Sequence, residues 1–71
     1  MTAIQMQQKL AQLPAEVSVV ALDFTDPAAR QIFVIDGRRV WMTRGALDAR
    51  LTSLSIDGFV GSLRFGAFEE T

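Results

Sequence analysis

Apolar residues at Ala3, Met6, Leu10 and Leu13 recur at spacings of three, four and three, which puts them on one face of a helix. Ile4 and Ala11 widen the stripe, and Gln5, Gln8, Lys9 and Gln12 cover the opposite side. Thr2-Ala3-Ile4-Gln5 has the form of a capping box: the threonine hydroxyl accepts from the third helical amide and the glutamine reaches back. Pro14 disfavours helical geometry at Leu13, so the pattern predicts a helix over 3–13. Its apolar stripe is core, or a seam for a partner.

From Glu16 to Phe24 the period changes to that of a strand. Val17, Val19 and Ala21 fall on one side and Val20, Leu22 and Phe24 on the other. Apolarity on both sides implies a strand covered twice, or one in the middle of a dimeric sheet. Thr25-Asp26-Pro27 breaks it, and Asp26-Pro27 also has the form of an N-cap followed by proline, which allows one helical turn at 27–30.

Gln31 to Ile35, Asp36-Gly37, then Arg38 to Met42 reads as a hairpin closed by a two-residue type I′ turn. That register sets Ile35 opposite Arg38, Phe33 opposite Val40 and Gln31 opposite Met42 on one side of the sheet. Ile32, Val34, Arg39 and Trp41 share the other side. Neither side is polar. One must meet the helices, and the other also calls for a cover.

Thr43 is placed to cap a second helix through Arg50 to about Thr52, with Leu47, Leu51 and Leu54 on one face and Arg44 four residues before Asp48. Gly45 in its first turn weakens it. The segment 56–68 alternates in part through Leu63, Phe65 and Ala67, and Gly58, Gly61 and Gly66 suggest a turn and bulges, with Asp57-Gly58 as a second hairpin turn. The sequence thus predicts a single α+β domain over 1–71, in the order α-β-β-β-α-β. Its sheet is mostly antiparallel, its helices pack on one face, and residues 1–2 and 69–71 fray.

Size and composition change this picture in one respect. A chain of 71 residues, 49% of them apolar, lies near the lower limit for a single core. With no cysteine for disulfides and no metal motif, association with a second copy or a larger protein is the favoured remedy. The net charge of −1 conceals an asymmetry. Residues 28–50 carry Arg30, Arg38, Arg39, Arg44 and Arg50 against Asp36 and Asp48, whereas both flanks are acidic.

The chemistry available to the chain is narrow. Without histidine or cysteine no Ser–His or Cys–His dyad can form within it. Lys9 sits on the polar side of its helix, where a desolvated nucleophilic amine is not expected. Asp23 and Asp26 flank a strand end and are the one carboxylate pair to consider for acid–base work. No phosphate loop, hard-metal loop or cofactor motif occurs. Uninterrupted aliphatic runs such as 19–22 and 32–35 are far below the ~20 residues of a spanning helix. No charged side chain precedes Lys9 and no long apolar run follows it, so a cytoplasmic protein without a leader is expected.

The cluster that stands out is Arg38, Arg39, Trp41 and Arg44, together with the apolar pair Ile32 and Val34. Tryptophan and arginine are the types enriched in protein-binding hot spots. The leading expectation is therefore a non-enzymatic interaction or regulatory module, a homodimer or a protein docked on a larger one, with Ile32, Val34, Arg38, Arg39, Trp41 and Arg44 at the contact. Arginines beside an indole also suit a nucleic acid, the second expectation, which the acidic overall balance weakens.

Overall fold

The computed structural model describes residues 1–65 and the backbone of residues 69–70. The elements are α1 (Ala3–Leu10), β1 (Val17–Ala21), β2 (Arg30–Ile35), β3 (Arg38–Thr43), α2 (Arg44–Ser53), α3 (Ile56–Arg64) and β4 (Glu69–Glu70). The strands lie side by side in chain order, each antiparallel to the next. The protein is a small α+β domain. Among the described residues, no helix is long and apolar enough to cross a membrane.

Helix α1 carries the capping box in full: the Thr2 hydroxyl accepts from Gln5 N–H at 3.2 Å and the Gln5 side chain accepts from Thr2 N–H at 2.9 Å. The helix ends at Leu10, before the residue 13 expected from the pattern. Gln12 N–H donates to the Lys9 carbonyl and Leu13 N–H to that of Leu10, so the last turn tightens ahead of Pro14. Met1 and Thr2, expected to fray, are tied down. The Met1 ammonium lies 3.2 Å from an Asp48 carboxylate oxygen on α2. Lys9, expected on a solvated face, is half-buried and donates at 2.6 Å to the Leu51 carbonyl in the last turn of α2.

Strand β1 is shorter than the 16–24 expected and, within the chain, is neither covered on both faces nor flanked on both sides. It forms an edge, with Val17 its one buried residue. After it, Asp26 makes a turn in place of a helical turn: its Oδ1 accepts from Ala28 N–H and its carbonyl from Ala29 N–H. The hairpin follows its expected register throughout. Asp36 and Gly37 both have positive φ, 53° and 75°, as a type I′ turn requires. Thr43 leads β3 directly into α2, its hydroxyl accepting from Ala46 N–H at 3.2 Å.

The largest departure is α3, where the sequence suggested an extended segment with Asp57-Gly58 as a hairpin turn. Ser55 caps a helix there, its hydroxyl accepting from Gly58 N–H at 3.1 Å. Ile56, Phe59, Val60 and Leu63 have helical spacing, and the last three are buried. Each interior glycine costs about 1 kcal/mol relative to alanine. Burying a Phe, Val or Leu returns about 1.5–3 kcal/mol, so three such residues outweigh two glycines. The element order therefore has two helices after β3 where one was expected. Glu69 and Glu70, expected to fray, instead pair with β3 as β4; the bulge expected at Gly66, the extended residues Ala67 and Phe68 and the fray at Thr71 lie outside the described residues.

One cluster holds the core: Met6 and Leu10 of α1, Val17 of β1, Phe33 and Ile35 of β2, Val40 and Met42 of β3, Leu47 and Leu51 of α2, and Phe59, Val60 and Leu63 of α3. Phe33 and Phe59 meet edge to face, with ring centres 5.7 Å apart and planes at 78°. All buried helix residues thus join the inner face of the hairpin.

Candidate functional site

The outer face of the hairpin is built by period and register alone. With Ile35, Phe33, Val40 and Met42 turned to the core, Ile32 opposite Trp41 and Val34 opposite Arg39 must point the other way. Strand β1 extends both rows, with Ala21 beside Ile32 and Ser18 beside Val34. Ile32, Val34 and Trp41 are half-buried and Arg39 is exposed. Four of the residues singled out from sequence therefore share one surface.

Arg38 does not. It projects on the helix side, where its guanidinium donates to the Arg64 carbonyl at the end of α3. Arg64 in turn reaches Glu16 at 2.6 Å and Asp36 at 3.3 Å, tying α3 to the approach to β1 and to the hairpin turn. Arg44 opens α2 and is half-buried; its Nε is buried without a hydrogen-bond acceptor among the described residues. Its charge acts on Asp48 one turn later, as their spacing predicts. The six candidate residues thus divide into an outer-face group of four, a helix-side arginine and a helix-start arginine.

The sequence reading passed over two residues of the hairpin, Arg30 on the outer face and Gln31 on the inner one. Arg30 stacks over Trp41, its Cζ 4.3 Å from the ring centroid. The signal was present in the register: Arg30 pairs with Thr43, which makes it the diagonal neighbour of Trp41. Gln31 is fully buried on the inner face. Its Oε1 accepts from Asp23 N–H at 2.9 Å, and its Nε2 donates to the carbonyls of Asp23 at 2.7 Å and Ala29 at 3.1 Å. One amide thereby closes the β1–β2 connection and holds its exit against the hairpin. Nothing in hydrophobic periodicity marks a buried glutamine with that task.

The carboxylates weighed for acid–base chemistry have local partners. Asp23 Oδ1 accepts from the Thr25 hydroxyl at 2.6 Å and from Thr25 N–H at 2.9 Å, and these bonds hold its pKa below the ordinary 3.8. Asp26 accepts from Ala28 N–H. Each organises its own turn. Among the described residues, no three Asp, Glu, His or Cys side chains converge as metal ligands would.

A shallow groove of about 450 Å³ lies between α1 and the end of α2, lined by Met1, Gln5, Gln8, Lys9, Gln12 and Thr52. Gln5 is engaged in the helix cap and Lys9 at the Leu51 carbonyl, so two of its polar groups have structural partners. The outer hairpin face is the stronger candidate, since it gathers an indole, two aliphatic side chains and two arginines. Comparison with protein-family models, with curated proteins and with solved structures gives no match.

Proposed function

We propose that this chain is a non-enzymatic, cytoplasmic interaction module of regulatory type, which self-associates or docks on a larger protein through the outer face of its hairpin. The observation that carries the reading is the contrast between the two faces of one sheet. All buried helix residues serve the inner face. The outer face keeps Ile32, Val34 and Trp41 only half-buried, with Arg30 and Arg39 exposed beside them. An aromatic anchor with apolar neighbours and arginine at the rim is the composition of a binding hot spot.

The lone tryptophan makes the test direct. In a verified monomer, acrylamide should quench Trp41, and a cognate partner or self-association should protect it. A blue-shifted, unquenchable Trp41 in the monomer would remove the anchor of the proposal. Pull-down from the native cell should lose the specific partner with Trp41→Ala while the variant remains folded.

Nucleic-acid binding is the alternative reading, favoured by the stacked Arg30–Trp41 pair beside Arg39. It draws less support than the sequence suggested, because Arg38 lies on the opposite side of the sheet. It requires an affinity whose logarithm falls with that of salt concentration by roughly 0.7–0.9 per phosphate contacted. No binding to DNA or RNA at low salt dismisses it.

A further inference from the structure

Helix α3 is fastened differently at its two ends. At its start it follows α2 with only Leu54 and Ser55 between them, and Leu54 is extended, with φ −117° and ψ 150°. At its end the fastening is ionic and open to water. The Arg64 guanidinium meets Glu16 at 2.6 Å and Asp36 at 3.3 Å, and the three side chains are 39%, 49% and 53% exposed. Arg38, at the start of β3, donates to the Arg64 carbonyl. Beyond Arg64 the next described tie is β4, two residues at the end of the strand order. Between the two ends, Gly58 and Gly61 make α3 a poor helix by itself, and nine residues are too few for a stable isolated one. Its order comes from Phe59, Val60 and Leu63 packed on the core. The other nine of the twelve buried core side chains among the described residues lie on α1, α2 and β1–β3, so most of the core stays joined when α3 lifts. Phe33 then loses the Phe59 ring that stands against it.

We propose that α3 is a hinged lid over the inner face of the hairpin, turning at Leu54–Ser55 and latched at its far end by Arg64 between Glu16 and Asp36. It opens as a unit, more readily than α1, α2 and β1–β3. The latch joins opposite charges in water, so it weakens with ionic strength, whereas the apolar contacts beneath it are not screened. The open form shows Phe33 and the apolar surface around it, on the opposite side of the sheet from Trp41. The lid therefore stands whether or not the Trp41 face binds a partner.

Native-state amide exchange of the full chain, followed residue by residue, tests this. Corrected for intrinsic rates, the Phe59 and Leu63 amides should exchange at least about tenfold faster than those of Phe33 and Leu51. Arg64→Ala should speed exchange in α3 by about two- to tenfold, the worth of exposed ion pairs. That factor should shrink towards unity in about 1 M sodium chloride. Gln31→Leu supplies the contrast. The partners of Gln31, Asp23 and Ala29, belong to the β1–β2 connection, so its loss weakens the closed and open forms alike. Phe33 should then exchange at least about fivefold faster while Phe59 and Leu63 keep their wild-type rates. Wild-type Phe59 and Leu63 amides as slow as those of Phe33 and Leu51 overturn the lid, because α3 then opens only with the whole chain; this readout holds even if a variant fails to fold. Equal acceleration of α3 and Phe33 by Gln31→Leu overturns it too. Exchange in α3 that ignores Arg64→Ala, or responds by the same factor at high salt, overturns the ionic latch.

Discussion

The Arg30 guanidinium lies over the Trp41 indole, 4.3 Å from the ring centroid, across a diagonal of the β2–β3 hairpin. It partly shields the one tryptophan on a face that the helices leave open. A cation–π contact at an exposed site is worth about 0.5–1 kcal/mol. Arg30→Ala should therefore cost less than about 1 kcal/mol in urea denaturation. It should also make Trp41 more quenchable by acrylamide and shift its emission to the red. Unchanged quenching would mean that the guanidinium does not shield the ring in solution.

Gln31→Leu tests the clasp on the β1–β2 connection. The substitution keeps apolar bulk in the core but leaves Asp23 N–H and the carbonyls of Asp23 and Ala29 without their partner. A buried polar group left unpaired costs about 1–3 kcal/mol, and the loss should be of that order. Amide exchange should accelerate at Asp23 ahead of the rest of the sheet. Equal acceleration across the whole chain would refute a local clasp.

Glycines at 45 and 61 offer a gain in stability. A Cβ added at either meets nothing within 4 Å, and both positions lie in helices. Gly61→Ala should stabilise by about 0.5–1 kcal/mol, which for a domain of this size raises Tm by roughly 2–8 °C. Gly45→Ala acts in the same direction from the first turn of α2. Destabilisation by Gly61→Ala would contradict a helix over Ile56–Arg64.

Acid should destabilise the protein in part through two carboxylates. Thr25 holds Asp23 below the ordinary 3.8, chiefly by its hydroxyl and then by its N–H. The Met1 ammonium holds Asp48 below the same value, with Thr52 adding to it. With folded pKa values depressed, the unfolded chain binds these protons first. Their stabilisation is complete above about pH 5 and is lost as pH falls below about 4, through the folded values. With no histidine, no side chain ordinarily titrates between about pH 5 and 7, so Tm should form a plateau there. Asp23→Asn and Asp48→Asn together should flatten the acid limb of a Tm-against-pH curve; an unchanged limb rejects both assignments.

Legibility differed from element to element for physical reasons. The hairpin could be read in full because Asp36-Gly37 is a local conformational demand, positive φ at two successive residues, and the turn then dictates all six cross-strand pairs. The Thr2 and Thr43 caps were readable for the same reason: each bond spans three residues. Helix α3 was misread because local cost and tertiary gain oppose each other there. Gly58 and Gly61 argue against a helix within their own segment, and the burial of Phe59, Val60 and Leu63 arrives only with the sheet they pack against.

Of the candidate site, sequence periodicity separated the two hairpin faces and assembled Ile32, Val34, Arg39 and Trp41 on one of them, because side-chain alternation in a strand is a covalent regularity. Which face the helices would cover, that β1 would be an edge, that Arg38 would turn toward Arg64, and that Gln31 would hold the Asp23 backbone were decided by tertiary structure. Those contacts join residues distant in the chain or in different elements. Their free energy exists only once the core around Phe33 and Phe59 has brought the elements together.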